Sequence, residues 1–214
     1  SKHRARPEPE QRGEMNLIVE GPGETTYLEV AYRFPEATHP DFFPLTVLDS
    51  LMAGPSSLNM FGGGISNKTS RLYRALVEKE FTVSVYGGAQ ATIDPHLYSL
   101  TMTIHPDRKP EEALAAMGGE FKRIQDELVS ADEISRAVKQ ARALHAYGSE
   151  SITNQGFWLG YSEMFANYAW FETYLENLAA VTPQDVQRVA QEYFRHQARV
   201  VGTYLPVNGE VSDD

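Results

Sequence analysis

The strongest constraint on the fold of this chain is a strict alternation of side-chain character within residues 26–34. Leu28, Val30 and Tyr32 alternate along the segment with Glu29, Ala31 and Arg33. A period of two predicts a β-strand with one buried and one exposed face. The apolar face of such a strand must be covered by a second layer of structure.

The rest of the chain predicts both more strands and the covering layer. Further strands are predicted at residues 15–19, 82–92, 98–104 and 199–205, with the Asp94-Pro95 turn joining the middle two as a hairpin. Helices are predicted at residues 41–53, 66–80, 110–128, 131–144, 151–164, 171–179 and from 183 onward. Ser130 and Thr182 provide the N-caps of two of these helices. Strands and helices in separate runs predict an α+β fold, with helices layered on a sheet.

The predicted domain organisation is simple. Residues 1–12 are polar, with Pro7 and Pro9, and read as a linker. Residues 13–207 form one α+β domain, and residues 208–214 form an acidic tail. The first residue is Ser1 and not Met, so we interpret the chain as an excised piece and leave its compartment open between cytoplasm and periplasm.

Composition excludes several classes of function. The formal net charge is −10, which argues against nucleic acid and anionic membrane surfaces as partners. No apolar run approaches the roughly 18 residues of a transmembrane helix. Cysteine is absent, which excludes a thiol nucleophile, disulfides and cysteine-bound zinc.

The histidines do not form a recognisable zinc site. None of the six lies in H-E-x-x-H or H-x-x-E-H, the patterns that place two imidazoles one helical turn apart. His96 and His105 flank a single predicted strand, which cannot bring both to one ion. We therefore predict no metal and no cofactor in this chain. No G-x-S-x-G elbow suggests a serine hydrolase either.

The order of several motifs resembles the second domain of the pitrilysin or insulinase family of zinc metallopeptidases. The motifs are Gly62-Gly63-Gly64, then Ser70-Arg71-Leu72, a helix ending at Glu78-Lys79 before a strand, Asp94-Pro95, and Thr182-Pro183-Gln184-Asp185. The resemblance spans roughly residues 11–206. It implies a clamshell half with a mostly antiparallel sheet of about five or six strands, covered by helices on one face.

In that family the first domain carries the zinc and the second has lost the metal ligands. The resemblance implies that this chain is the non-catalytic half, with zinc in a partner domain of the same polypeptide or a separate subunit. The chain would form a chamber wall and part of a peptide-binding surface, with a peptide as substrate and no activity alone. Main-chain pairing with an extended peptide would suit this role.

The sequence departs from the family at two positions. Active members often place an arginine and a tyrosine where Val77 and Val83 stand here. Either Arg74 or Tyr86 substitutes from a neighbouring turn, or the pair is dispensable. The candidate substrate-binding residues are Ser70, Arg71, Arg74 and Tyr86, and no catalytic residue is carried over.

Two further expectations remain. Loss of both polar positions also fits a catalytically dead structural module related to processing peptidases. An intact H-x-x-E-H upstream would favour the enzyme over this alternative.

The aromatic-rich stretch at residues 157–174 predicts some self-association, and hence a homo-oligomer, if it normally meets a partner.

Overall fold

The computed structural model describes residue 9 and residues 11–58 and 68–207. The strands are β1 (Met15–Pro22), β2 (Tyr27–Phe34), β3 (Thr82–Gly88), β4 (His96–Ile104) and β5 (Arg199–Val207). The helices are α1 (Phe42–Met52), α2 (Pro110–Asp126), α3 (Ala131–Ser149), α4 (Ile152–Phe165), α5 (Tyr168–Glu172), α6 (Tyr174–Ala179) and α7 (Pro183–Tyr193). Short 3-10 turns cover Pro55–Leu58 and His196–Ala198, and a π-helix covers Tyr73–Val77.

The five strands form one mixed sheet in the order β1-β5-β2-β4-β3. The pairings β5-β2, β2-β4 and β4-β3 are antiparallel, whereas β1 runs parallel to β5. Helices cover one face, so the α+β class and the one-sided layering predicted from the sequence are confirmed. β1 and β3 form the two edges of the sheet.

The alternation in β2 has the predicted consequence. Leu28, Val30 and Tyr32 are buried under the helices, while Glu29 and Arg33 are exposed on the opposite face. The core continues into α1, α2 and α7, whose apolar faces pack on this side of the sheet. The uncovered face is called the open face below.

Helix ends follow the predicted capping chemistry. The Ser130 hydroxyl accepts a hydrogen bond from Glu133 N, and the Thr182 hydroxyl accepts one from Asp185 N. In both cases the acidic side chain bonds back to the cap, which forms a capping box. Two apolar or small side chains near helix ends stay outside the core: Thr69 is exposed, and Leu128 is exposed beyond the end of α2.

The predicted helix at residues 66–80 differs most from expectation. Residues 66–67 lie outside the described part of the chain, and helical structure begins at Arg71. The backbone then widens into the π-helix, with Glu78 N bonded to Tyr73 O and Phe81 N to Leu76 O. Glu80 follows with φ 57°, a left-handed conformation that turns the chain into β3.

The strand predicted at residues 82–92 ends earlier, at Gly88. The next residues leave the sheet because they bond elsewhere: Ala37 N donates to Thr92 O, and the Tyr161 hydroxyl donates to Ala91 O. The helix predicted at 171–179 is divided at Thr173 into α5 and α6. Within the described residues, no helix is both long and apolar enough to span a membrane.

Candidate functional site

The open face is a surface of exposed and half-buried residues drawn from the strands β1 to β5. One cross-strand row consists of Leu17, Gly202, Glu29, Thr101 and Tyr86, each in register with the next. Leu17 is 55% exposed and Tyr86 is 63% exposed, at opposite ends of the row. The alternation in β2 predicted that Glu29, in the middle of the row, is exposed. The residues at the two ends of the row could be identified only from the strand order.

A second row lies beside the first. Val19, Tyr204, Tyr27, Thr103 and Ser84 follow one another in register. The Tyr27 and Tyr204 ring centroids lie 6.2 Å apart, and the Ser84 hydroxyl donates to Thr103 Oγ1 at 3.0 Å. The open face is therefore apolar and aromatic towards β1 and more polar towards β3.

The edge strand β3 carries an irregularity near its start. The register shifts between Thr82 and Ser84, so Val83 is an extra, bulged residue. Val83 is 57% exposed as a result. This is the position where the family resemblance expects a tyrosine. Val77, at the end of the π-helix, is only partly buried and packs against the core.

Of the four candidate substrate-binding residues, only Tyr86 lies on the open face. Ser70 is buried, and its hydroxyl accepts a hydrogen bond from Tyr73 N at 3.2 Å, which caps the helical turn. Arg71 and Arg74 line a cleft between α1 and α3, on the helical side of the sheet. The structure therefore does not bring the four residues together.

Arg71 is fixed by an ion pair with Glu133. Its Nη2 lies 2.8 Å from Glu133 Oε1, and both side chains are largely shielded from solvent. Burial alone would raise the pKa of Glu133, but hydrogen bonds from Ser130 and Arg71 outweigh it and hold the pKa below its usual value. Glu133 therefore stays charged and holds Arg71 in place.

An aromatic cleft of about 340 Å³ lies beyond the end of β3. Its floor is formed by Phe42, Trp170 and Tyr174, which belong to the core. Its lining also includes Trp158, Tyr161 and, 59% exposed, Phe157. Within the aromatic stretch at 157–174, the structure buries Trp170 and Tyr174 and leaves Phe157 and Tyr168 exposed.

The described residues contain no group of three or more His, Cys, Asp or Glu side chains able to hold a metal ion. His96 begins β4 and His105 follows its last residue. The glycine loop at residues 62–64, one of the motifs of the resemblance, lies outside the described residues.

Comparison with known proteins gives one family and a common fold. The sequence profile of the family described as "Peptidase M16 inactive domain" matches residues 1–141. No curated protein matches the chain in sequence.

Solved structures share the fold at low sequence identity. A protease from Helicobacter pylori is similar with a TM-score of 0.81 and 17% identity, over 96% of this chain and 49% of that one. An inactive peptidase domain from Bordetella parapertussis has a TM-score of 0.74 and 21% identity, over 92% and 99%. A peptidase M16 inactive domain from Pseudomonas fluorescens has a TM-score of 0.69 and 16% identity, over 97% and 46%. The chain thus spans about half the length of the first and third.

Proposed function

Since the chain belongs to the peptidase M16 family as an inactive domain, we propose that it is the accessory half of a zinc-dependent metalloendopeptidase. It would form a chamber wall and a peptide-binding surface opposite a zinc-bearing domain that lies outside this chain. The observation that carries the proposal is the open face: a broad sheet surface left exposed on the side away from the helices.

The edge strand β3 supports a role in holding an extended peptide. Among the described residues β3 pairs with β4 on one side only, so along its other side no described strand occupies its main-chain groups. A peptide added there would form main-chain hydrogen bonds that do not depend on its side chains. Tyr86 and Val83, both exposed on β3, would then lie beside the peptide.

The proposal assigns peptide contact to Tyr86 and not to Ser70, Arg71 or Arg74. Those three residues make their contacts within the helical side of the domain. Neither Val77 nor Val83 can donate a side-chain hydrogen bond to a developing oxyanion. Zinc, general base and proton transfer are therefore assigned to the partner domain.

The test is to measure metal-dependent peptide cleavage with the zinc-bearing domain, in the presence and absence of this chain. We expect cleavage to require both. In the complex, Tyr86→Ala should raise KM severalfold with little change in kcat, because it removes binding and no reacting group. Tyr147→Ala is the matched control, since Tyr147 is also exposed but lies on α3 in the helical layer.

A scaffolding role is the second candidate, and Val77 and Val83 favour it. A complex that assembles stably but cleaves no peptide in the presence of zinc would support the scaffold and contradict the peptidase proposal. Cleavage at an unchanged rate without this chain would contradict the accessory-peptidase proposal.

A further inference from the structure

A cleft on the helical side of the sheet concentrates positive charge in an acidic protein. The cleft has a volume of about 270 Å³ and lies between α1, the segment leading into the π-helix, and α3. Three arginines line it: Arg71, Arg74 and Arg136. The whole chain has a net charge of −10, so this local excess is opposite in sign to the molecule.

Only one of the three arginines is neutralised. Among the described residues that line the cleft, Glu133 is the one carboxylate, and it pairs with Arg71 at 2.8 Å. Within the described residues, no carboxylate pairs with Arg74 or Arg136, and both are exposed. The cleft therefore holds two positive charges in excess.

The arrangement is partly preorganised. Arg71 is held by Glu133, which is itself held by the capping box at Ser130. Thr69 and Gln140 also line the cleft and add a hydroxyl and an amide. Guanidinium groups bind oxyanions through paired N–H donors, and hydroxyl and amide groups supply further donors to the same oxygens.

We propose that this cleft is a binding site for a small dianionic oxyanion, held chiefly by Arg74 and Arg136 with Arg71 as a fixed third donor. The charge excess matches a ligand with two negative charges. A phosphate group and a short dicarboxylate share this chemistry. Bringing such an anion between the guanidinium groups relieves their mutual repulsion, which water alone screens incompletely in a concave site.

The site is independent of the proposed peptide surface. It lies on the opposite side of the sheet from Tyr86 and the open face. Binding there would link α1, α3 and the segment that leads into β3.

Isothermal titration of the full chain with inorganic phosphate and, separately, with succinate tests the proposal. We expect millimolar or tighter binding of at least one anion, weakened by added salt. Preferential binding of phosphate would identify a phosphate group as the ligand, and preferential binding of succinate a dicarboxylate. Arg74→Gln and Arg136→Gln should each weaken binding about tenfold.

Arg142→Gln is the matched control, because Arg142 is exposed on α3 but does not line the cleft. It should bind as the parent does. The binding anion should also raise the Tm of the parent and of Arg142→Gln, but not of the double variant Arg74→Gln/Arg136→Gln. This second readout shows that each variant is folded.

Three results would overturn the proposal. The first is absence of binding of either anion at millimolar concentration. The second is equal binding by the double variant. The third is that the parent self-associates, the double variant does not, and neither phosphate nor succinate binds. That result would assign the cleft to an acidic segment of a second copy of the chain.

Discussion

The Tyr98 hydroxyl donates a 2.5 Å hydrogen bond to Oδ1 of Asp49, and neither side chain is exposed to solvent. The bond connects β4 in the sheet to α1 in the helical layer. Burial first, and then the nearby carboxylate, raise the pKa of Tyr98 well above its ordinary value. Tyr98 therefore keeps its proton, and stays a donor, above the pH at which an exposed tyrosine would lose it.

Replacing the Tyr98 hydroxyl should destabilise the fold. Tyr98→Phe removes the hydroxyl and leaves a buried carboxylate oxygen without that bond, so we expect the free energy of unfolding to fall by about 1–3 kcal/mol. Urea denaturation followed by circular dichroism measures the change. Tyr86→Phe, on the exposed face, should change stability by no more than about 0.5 kcal/mol. Equal stability of the two variants would contradict this account.

The same region requires a glycine in β3. A Cβ on Gly87 would lie 2.5 Å from Ala53 Cβ and 2.8 Å from Asp49 Oδ1. Gly87→Ala should therefore push β3 away from α1 and destabilise the fold by about 1–3 kcal/mol.

Gly88→Ala is the neighbouring control, because a Cβ there meets no atom within 4 Å. Thermal denaturation of both variants should show a lower Tm for Gly87→Ala only. A similar loss in both would point to chain flexibility and not to the close approach of α1.

Most of the fold was predictable because its signals are local. The alternation in β2 and the caps at Ser130 and Thr182 each act within a few residues, and the structure has them as predicted. Strand order is not local. The parallel pairing of β1 with β5 joins residues at opposite ends of the sequence, and no local pattern specifies it.

The candidate sites depend on this non-local part. Arg71 and Arg74 are close in sequence, but Arg136 joins them only because α3 packs beside α1. In the same way, Tyr86 and Leu17 share the open face only because four strand pairings connect them. Sequence patterns could identify single candidate residues but could not predict which of them lie together in the folded domain.

The turn into β3 contains a conformation that glutamate adopts poorly. Glu80 has φ 57°, where a side chain crowds the backbone. Glu80→Gly should raise the free energy of unfolding by about 1 kcal/mol, since glycine takes this conformation without that cost. Glu80→Ala retains the crowded Cβ and should show no such gain. Denaturant titration of the two variants separates backbone relief from loss of the side chain.

Asp41 links the start of α1 to α7 and should make stability depend on pH. Its Oδ1 lies 2.6 Å from Arg188 Nη2, and its Oδ2 accepts from the Tyr193 hydroxyl at 2.9 Å. Burial alone would raise the pKa of Asp41, but the bonds from Arg188 and Tyr193 outweigh it and lower the pKa. A lowered folded-state pKa stabilises the protein above the unfolded value of about 3.9, and this stabilisation is lost as pH falls through the folded-state pKa.

Arg188→Gln should remove much of this contribution. We expect a loss of about 1 kcal/mol at neutral pH, modest because Arg188 is roughly half exposed and solvent screens the pair. The loss should shrink as the pH falls through the lowered pKa of Asp41 in the parent, because a protonated Asp41 carries no charge for Arg188 to pair with. Lys122→Gln breaks the exposed pair with Asp126 and should have little effect at any pH. The free energies of unfolding of the parent and both variants, measured at several pH values, test this prediction. If the loss caused by Arg188→Gln does not depend on pH, Arg188 stabilises the domain by packing and not through the charge of Asp41.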